Sequence, residues 1–306
     1  MKYKKRLKRR CSISVPGSDF RKIQKAAGSG IDHVFIDLED SVSPKVKPAA
    51  RKNVIKGLNE LDWGSTLKCF RINGLDTGWC YQDIIEVVGQ AGNNLDTLMI
   101  PKVKYPRDVF FVETLLEQVE KEHAIQRPVG IEILVEEVEA VENIKEIAAA
   151  SNRIIALHFG VGDYIRSSGT DGRDGFSEPR FIQGDMWHYE RKRLVIAARM
   201  NGLYAIDGPY PYIKNEQGYK KVAKEALTLG MDGKWAIHPI QIGFANEVFT
   251  PDPKEVAQYR KWLAAFEEAS AAGKGAIQLD GIMLDEAVVP MLRSVIEQAD
   301  FLNSNS

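Results

Sequence analysis

The stretch Val129-Gly-Ile-Glu-Ile-Leu-Val135, followed by Glu136, decides the fold of this chain. It is an apolar run that contains one acid, and an amphipathic stretch of helical length at residues 138–149 follows it. A second apolar run, Ile154-Ile-Ala-Leu-His-Phe159, comes next. Buried strands that alternate with helices are typical of a parallel sheet covered on its outside. The stretch therefore predicts a strand–helix–strand unit.

The same unit recurs along most of the chain, and this repetition predicts the architecture. Strands are predicted at residues 11–15, 33–37, 67–72, 97–100, 129–135, 154–159, 203–206 and 234–238. Helices are predicted at residues 19–28, 48–58, 81–91, 106–122, 138–149, 186–200, 216–229 and 240–248. Eight such units within residues 1–250 predict an α/β protein with a (β/α)8 TIM barrel. The alternative, a doubly wound open sheet, normally has fewer strands and a glycine-rich first turn.

The composition narrows the class of protein. The chain has 306 residues, 44% of them hydrophobic and 27% charged, and its 41 basic and 42 acidic side chains nearly cancel. These values exclude a disordered tail and a collagen-like chain, and the chain as a whole does not bind polyanions. The three cysteines have no metal-binding spacing and form no disulfide framework. With no apolar run of roughly 18 residues and no signal region after the basic start, we predict a cytoplasmic protein without a membrane partner.

The first ten residues form a basic arm, because seven of them are Lys or Arg. We interpret the arm as a solvated terminus, since no second basic stripe follows, and we predict no nucleic-acid partner. Two alternatives stay open at this point. The arm could make the protein a non-catalytic module that binds nucleic acid, or Arg9 or Arg10, just before the first strand, could reach a phosphate-bearing ligand.

Two segments fall outside the repeat. Residues 167–185 are rich in Gly, Ser and charge, and loops of this length are usually functional or mobile. After Thr250-Pro-Asp-Pro253 come a predicted helix at 255–272, a strand at 276–279 and a last helix from about residue 284. We therefore predict a barrel domain at 1–250 and a C-terminal segment at 251–306. The segment is too short for a core of its own, so we expect it to pack on its own barrel or on a neighbour's.

Charged residues collect where the predicted strands end, which in a barrel of this kind is the functional face. They are Asp37, Glu39, Asp40, Arg71, Lys102, Glu136, Asp163, Asp207 and His238. Glu136 and Asp163 follow neighbouring strands with no Cys or His beside them, a donor set that suits a hard cation such as Mg²⁺ and leaves positions open for substrate. Glu132 and His158 lie inside strands, so we expect structural roles for them. Motifs of zinc proteases, P-loop proteins, serine hydrolases and dinucleotide-binding folds do not occur.

Eight short motifs, in this order and spacing, resemble the citrate lyase β-subunit-like acyl-CoA lyases of the HpcH/HpaI aldolase superfamily, a group that includes malyl-CoA and citramalyl-CoA lyases. They are Ser14-Val-Pro-Gly-Ser18, Asp37-Leu-Glu-Asp-Ser-Val42, Arg71-Ile-Asn-Gly-Leu-Asp76, Met99-Ile-Pro-Lys-Val103, His158-Phe-Gly-Val-Gly-Asp-Tyr164, Asp185-Met-Trp-His-Tyr189, Asp207-Gly-Pro-Tyr210 and Gly233-Lys-Trp-Ala-Ile-His-Pro239. The third, sixth and eighth look most like the malyl-CoA/β-methylmalyl-CoA lyase branch.

The resemblance implies roles for particular residues. It implies Mg²⁺, with Mn²⁺ as the alternative, on Glu136 and Asp163, with Arg71 beside the metal and the thioester. From their positions at the strand ends we predict supporting roles around the ligand for the remaining charged residues, Asp37, Glu39, Asp40, Lys102, Asp207 and His238. The resemblance also implies a C-terminal helical lid whose catalytic aspartate, Asp285, covers a neighbouring subunit's site in a homo-oligomer, a trimer or a hexamer. The residues alone leave Asp280 as a competitor for that role.

The coenzyme A contacts implied by the resemblance are Ser14, Lys25, Ile237 and Pro239. Asp19 departs from the family pattern, because relatives carry a basic residue there. The implied activity is reversible cleavage of (S)-malyl-CoA, and of β-methylmalyl-CoA, to glyoxylate and acetyl-CoA or propionyl-CoA. The alternatives are an (S)-citramalyl-CoA lyase that releases pyruvate, a citryl thioester lyase, and a metal-dependent aldolase that acts without coenzyme A.

Overall fold

A computed structural model describes residues 7–171 and 184–304 of the chain. The backbone divides into two compact units, one that ends at Asn246 and one that begins at Glu247. Among the described residues, no helix has both the length and the apolar character that crossing a bilayer requires. The predicted loop at 167–185 is described only in part, since residues 172–183 lie outside the described ranges.

The first unit is a closed barrel of eight parallel strands in sequence order. The strands are β1 Cys11–Pro16, β2 His33–Asp37, β3 Leu67–Arg71, β4 Thr97–Ile100, β5 Gly130–Val135, β6 Ile154–Phe159, β7 Tyr204–Asp207 and β8 Gly233–Ala236. The predicted TIM barrel is confirmed. The last predicted strand ends earlier than expected, because β8 stops at Ala236 and His238 lies beyond it.

Helices cover the outside of the barrel. They are α1 Phe20–Ala27, α2 Lys47–Glu60, α3 Cys80–Ala91, α4 Pro106–Glu122, α5 Val138–Glu142, α6 Ile144–Ala149, α7 Val161–Ser168, α8 His188–Asn201, α9 Glu216–Leu229 and α10 Ile240–Phe249. The helix predicted at 138–149 is two helices that meet at Asn143. Helix α7 was not predicted. It begins directly after β6 and ends at Gly169, whose positive φ of 69° suits glycine.

The barrel interior is filled by side chains that alternate along the strands, as the period of a strand requires. Its central cluster contains Phe35, Cys69, Met99, Leu134, Ala156, Tyr204, Ile206 and Trp235. These apolar residues separate two polar layers. One lies at the carboxyl ends of the strands, and the other lies near their amino ends, around Glu132 and His33.

The lower polar layer holds the end of the basic arm. Arg9 is buried, and its Nη2 lies 2.8 Å from Oε1 of Glu132. Arg10 pairs with Asp32 through two hydrogen bonds of 2.8 and 2.9 Å. The alternative in which Arg9 or Arg10 reaches a phosphate-bearing ligand is therefore wrong, because both residues, which directly precede β1, form ion pairs with Glu132 and Asp32 of the barrel itself. Residues 1–6 lie outside the described ranges.

The second unit consists of α11 Pro253–Ala271, β9 Ala276–Leu279, β10 Ile282–Asp285 and α12 Val289–Ser304. The two strands form an antiparallel hairpin. The predicted start of the last helix near residue 284 is wrong, since 282–285 is a strand. The cause is the two-residue turn Asp280-Gly281, where both residues have positive φ, 51° and 80°, as the favoured hairpin turn requires. The unit also has a small apolar cluster of its own, around Phe266, Leu284, Val289 and Leu292.

Candidate active site

The carboxyl ends of β2 and β3 place an ion pair at the mouth of the barrel. Asp37 and Arg71 are partners in the strand register. Arg71 donates from Nε and Nη2 to the two carboxylate oxygens of Asp37 at 2.7 and 2.8 Å. Burial alone would raise the pKa of Asp37, but the Arg71 guanidinium and hydrogen bonds to the carboxylate lower it to about 2. Asp37 is thus a permanent anion that fixes the orientation of Arg71.

Glu39 links this pair to the next strand. Its carboxylate lies 2.9 Å from Nη1 of Arg71 and 2.5 Å from Nζ of Lys102. Asp40 is half exposed and lies 3.4 Å from the same Lys102 amine. Lys102 has a positive φ of 53°, a conformation that costs energy for a residue with a side chain. In this conformation its backbone N–H donates to Oε1 of Glu136 at 2.9 Å.

Glu136 is a buried carboxylate without an ion pair among the described residues. Burial, together with the neighbouring Glu39 and Asp163 carboxylates, raises the pKa of Glu136 well above its usual range, and the Arg71 guanidinium opposes this only in part. Gly160 makes room for it. A Cβ at position 160 would lie 2.5 Å from the Cβ of Glu136 and 2.7 Å from its Oε2.

Asp163 supplies a second carboxylate from the first turn of α7, where a negative charge is favourable. Its side chain is a quarter exposed, and the one cation within 4 Å among the described residues is the exposed Arg166, at 3.4 Å. The residues fit a divalent cation. Burial makes the ionised form of Glu136 unfavourable, and a bound cation would offset that free-energy cost. Both groups offer oxygen, the donor that Mg²⁺ and Mn²⁺ prefer.

Three of the four predicted coenzyme A residues lie on or directly after β1 and β8, which are hydrogen-bonded neighbours. Ser14 is half-buried on β1, and Ile237 and Pro239 follow β8 and are exposed. Lys25 is exposed in the last turn of α1. Asp19, the departure from the family pattern, is the N-cap of this helix and accepts a hydrogen bond from the Lys22 backbone. Ser14, Ile237 and Pro239 thus lie on or directly after two neighbouring strands, Lys25 lies on the helix that follows β1, and the role of all four stays a prediction.

Asp207 and His238 lie away from these carboxylates. Asp207 is buried and pairs with Arg191, at 2.9 Å, and with Lys234. These two ion pairs connect β7, β8 and α8, so they brace the barrel wall. His238 is exposed, and its Nδ1 accepts a hydrogen bond from the Ile240 backbone at 3.2 Å. The supporting roles predicted for both stay predictions.

The two candidate bases lie in the hairpin of the C-terminal unit. Asp280 occupies the turn, where its Oδ2 accepts hydrogen bonds from Gln258 at 2.7 Å and Trp262 at 2.9 Å. Asp285 is the last residue of β10, and its Oδ1 accepts hydrogen bonds from the backbone of Ala287 and Val288. Asp280 is thus occupied in holding the turn against α11, whereas Asp285 keeps Oδ2 without a hydrogen bond among the described residues.

Sequence reasoning missed a group of buried polar residues behind the mouth. Lys47 and Asp83 come from α2 and α3, and both contact Asn73, which follows β3. The nearby Glu39–Lys102 pair borders a cleft of about 740 Å³ that Trp79 also lines. No local pattern marks Lys47, because its partners are 8 to 26 residues away and become neighbours only when the barrel closes.

The chain is similar to proteins of known name. The HpcH/HpaI aldolase/citrate lyase family model matches residues 10–239. An L-malyl-CoA/β-methylmalyl-CoA lyase of Cereibacter sphaeroides is 40% identical over 304 residues, which covers 96% of each chain. A malyl-CoA/β-methylmalyl-CoA/citramalyl-CoA lyase of Chloroflexus aurantiacus is 34% identical and covers 88% of this chain and 81% of that protein.

Among solved structures, the protein CitE of Mycobacterium tuberculosis, in complex with magnesium, acetoacetate and coenzyme A, matches with a TM-score of 0.77 and 26% identity. The match covers 95% of this chain and 97% of that one. The family model spans the whole barrel with its mouth, and the curated relatives extend through the C-terminal unit. The resemblance inferred from the motifs is therefore confirmed, and the chain belongs to the HpcH/HpaI aldolase/citrate lyase family.

Proposed function

We propose that the protein is a Mg²⁺-dependent carbon–carbon lyase that reversibly cleaves (S)-malyl-CoA to acetyl-CoA and glyoxylate. We include β-methylmalyl-CoA, which would give propionyl-CoA and glyoxylate. The observation that carries the proposal is the buried Glu136 carboxylate, which forms no ion pair among the described residues and lies near the charges of Asp163 and Arg71. The name of the Cereibacter sphaeroides relative supports the choice of substrate.

Glu136 and Asp163 would hold the cation at the mouth. When bound, Mg²⁺ supplies Lewis-acid polarisation of the oxo-acid carbonyl and fixes the orientation of that substrate. The protein contributes the rest of the charge arrangement. The backbone N–H of Lys102 binds the Glu136 carboxylate, and Gly160 leaves the space that this carboxylate fills. Its position is therefore set before any ligand binds.

Arg71 would stabilise the thioester enolate, the high-energy species of the reaction in both directions. A guanidinium has five N–H bonds. Asp37 accepts two of them and Glu39 lies against a third, so one N–H on each terminal nitrogen is left for a substrate oxygen. Their direction is fixed by the ion pairs, and such prepositioned donors stabilise a developing oxyanion by roughly 3–4 kcal/mol each.

Asp285 would act as the base in the condensation direction. It removes a proton from the methyl group of acetyl-CoA, and the resulting carbanion attacks the carbonyl carbon of glyoxylate. In the hairpin, Asp285 and Ala276 are register partners, and Met283, two residues before Asp285, points to the same side and is 67% exposed. A carboxylate among such neighbours becomes a stronger base when water is excluded.

The decisive test is an assay with thioesters. We expect release of acetyl-CoA and glyoxylate from (S)-malyl-CoA with Mg²⁺, loss of activity with a chelator, and recovery when Mg²⁺ is added in excess. Activity that is indifferent to the chelator would contradict the metal assignment. Turnover of free hydroxy acids alone would instead favour an aldolase that acts without coenzyme A.

The same assay decides between two acyl-CoA substrates. The Chloroflexus aurantiacus relative is also named for citramalyl-CoA, and the two substrates differ by one methyl group, which a pocket discriminates by only about 1–3 kcal/mol. We expect glyoxylate to be the better acceptor of acetyl-CoA. A higher kcat/KM with pyruvate would make the protein a citramalyl-CoA lyase.

We further propose that the protein is a homo-oligomer, a trimer or a hexamer, in which Asp285 serves the barrel of a neighbouring subunit. Asp285→Ala and Glu136→Gln should each be inactive, and a mixture that exchanges subunits should regain part of the activity. No recovery after demonstrated exchange would mean that each lid serves its own barrel.

We place the enzyme in the cytoplasm because its three cysteines are all buried free thiols.

A further inference from the structure

Lys47 is a buried amine at the start of α2, directly below the mouth of the barrel. Its Nζ donates to three oxygens at hydrogen-bond distance: the backbone carbonyls of Leu38 and Glu39, at 2.7 and 2.8 Å, and Oδ1 of Asn73, at 2.5 Å. The three protons of the ammonium group are thus all used. None of the three acceptors is a carboxylate, so Lys47 is held by neutral oxygens and not by a direct ion pair.

The three acceptors come from two different strand ends. Leu38 and Glu39 belong to the loop after β2, and Asn73 follows β3. Asn73 is itself fixed, because its backbone N–H and its Nδ2 donate to Oδ2 of Asp83 at 2.9 and 2.6 Å. Asp83 in turn accepts a hydrogen bond from Arg51 at 2.7 Å. The Lys47 amine therefore ties a loop to an anchored point.

The tied loop carries a residue of the candidate active site. Glu39 has its backbone carbonyl on Lys47, while its carboxylate lies between Arg71 and Lys102, at 2.9 and 2.5 Å. Lys102 is the residue whose backbone N–H contacts Glu136. A displacement of the loop would thus move charge next to both the guanidinium and the metal ligand.

From this geometry we propose that Lys47 is a positioning residue, which holds Glu39 where it can orient Arg71 and Lys102 for the reaction. The inference rests on the proposed function. Burial of a charge is costly, and at this place the amine meets three acceptors from two different strand ends. An amine with three directed protons does what an apolar chain cannot, since it fixes two loops at once.

The test compares Lys47→Met with Lys52→Met, which removes the same side chain from an exposed position of the same helix. We expect Lys47→Met to lower kcat for (S)-malyl-CoA by about 10- to 100-fold, the usual effect of removing a group behind a metal ligand. The Mg²⁺ concentration for half-maximal activity should rise, KM for the thioester should change little, and Lys52→Met should match the wild type. Unchanged kcat and Mg²⁺ requirement in folded Lys47→Met would overturn the proposal.

A double-mutant cycle separates positioning from a general structural role. If Lys47 acts through Glu39, kcat of the double variant Lys47→Met/Glu39→Gln should be no lower than kcat of the less active single variant. If the fold-losses of the two single variants multiply in the double variant, the proposal is refuted. If Lys47→Met does not fold, Lys47→Arg takes its place. It keeps the charge, but its longer planar head cannot serve the same three acceptors, so the same kcat loss is expected and wild-type kcat would overturn the proposal.

The proposal can also fail or hold independently of the substrate. The rise in melting temperature that Mg²⁺ causes in the wild type should be smaller in Lys47→Met and unchanged in Lys52→Met. This difference can be measured even if (S)-malyl-CoA is not turned over, in which case the proposed function fails and the positioning role stands. Equal Mg²⁺ shifts in both variants would refute positioning while leaving the proposed function intact.

Discussion

Glu132 lies on β5 and Glu136 directly follows that strand, four residues further along the chain, and both are buried. Their surroundings differ completely. Glu132 contacts Arg9 at 2.8 Å and His158 at 2.6 Å. Burial would raise its pKa, but the Arg9 guanidinium and the two neighbouring histidines hold the pKa of Glu132 well below its usual range. The pKa of Glu136 moves the opposite way, because burial is not compensated.

The difference distinguishes a structural acid from a functional one. The barrel itself provides the partners of the Glu132 charge, Arg9 and His158, so folding alone stabilises this carboxylate and no ligand is needed. Glu136 receives one backbone hydrogen bond and forms no ion pair among the described residues, and the Arg71 guanidinium offsets the effect of its burial only in part. A buried carboxylate whose partners the fold does not supply is therefore the stronger indication of a ligand site.

The largest expected effect is on activity at the upper acid. Glu136→Gln should abolish turnover, because it removes a charged ligand, while its melting temperature in the absence of Mg²⁺ should equal or exceed that of the wild type. Asp163→Asn should behave in the same way. Steady-state kinetics and thermal unfolding measure both properties, with the exposed Glu142→Gln as the control. Near-normal activity of either variant at ordinary Mg²⁺ concentrations would show that the metal site lies elsewhere.

The reverse outcome is expected at the lower acid. Glu132→Gln should destabilise the protein by about 3–5 kcal/mol, because it leaves the Arg9 guanidinium buried without its partner, while kcat of the folded enzyme should stay near that of the wild type. The control Arg9→Met/Glu132→Gln removes both charges and should recover part of the loss. Urea unfolding gives the free energies. A loss of turnover without a loss of stability would erase the contrast between the two acids.

The next effect concerns the guanidinium above Glu136. Arg71→Lys keeps the charge but loses the planar fork that binds Asp37 and leaves two N–H bonds for substrate. We expect kcat to fall roughly 100-fold, which corresponds to the loss of one oxyanion donor. The matched control is the exposed Arg107→Lys at the cleft rim. Wild-type rates in Arg71→Lys would mean that Arg71 only neutralises Asp37 and Glu39.

The sequence was sufficient for the barrel because its evidence is local and repeated. Each strand is a short apolar run, each helix follows at a regular distance, and the carboxyl ends of parallel strands must meet at one face. Asp37, Arg71 and Glu136 could therefore be assigned to the mouth without coordinates. Their roles as ligand or catalytic group stay predictions, because chemistry depends on what binds there.

The features that could not be predicted depend on closure of the barrel. The partner of Arg9 is 123 residues away, and Lys47 finds Asn73 only when α2 packs below the mouth. The error in the C-terminal unit has another origin. Asp280-Gly281 is a strong hairpin signal, but the apolar residues after it also fit a helix, so the local pattern does not distinguish the two.

The smallest expected effect is the pH dependence of stability, and it has a defined sign. A carboxyl group with a higher pKa in the folded than in the unfolded chain binds its proton more tightly when folded. The free energy of unfolding therefore falls as pH rises from the unfolded value of about 4.3 toward the raised pKa of the folded state. In the presence of a chelator, the stability of the wild type relative to Glu136→Gln should fall by up to about 1.4 kcal/mol per pH unit in this range. Glu132 should contribute no slope there, because its lowered pKa affects stability only as pH falls below that value. Urea unfolding at two neighbouring pH values measures the slope, and Mg²⁺ should reduce it by binding the charged carboxylate. A flat difference without metal would mean that Glu136 is as well compensated as Glu132.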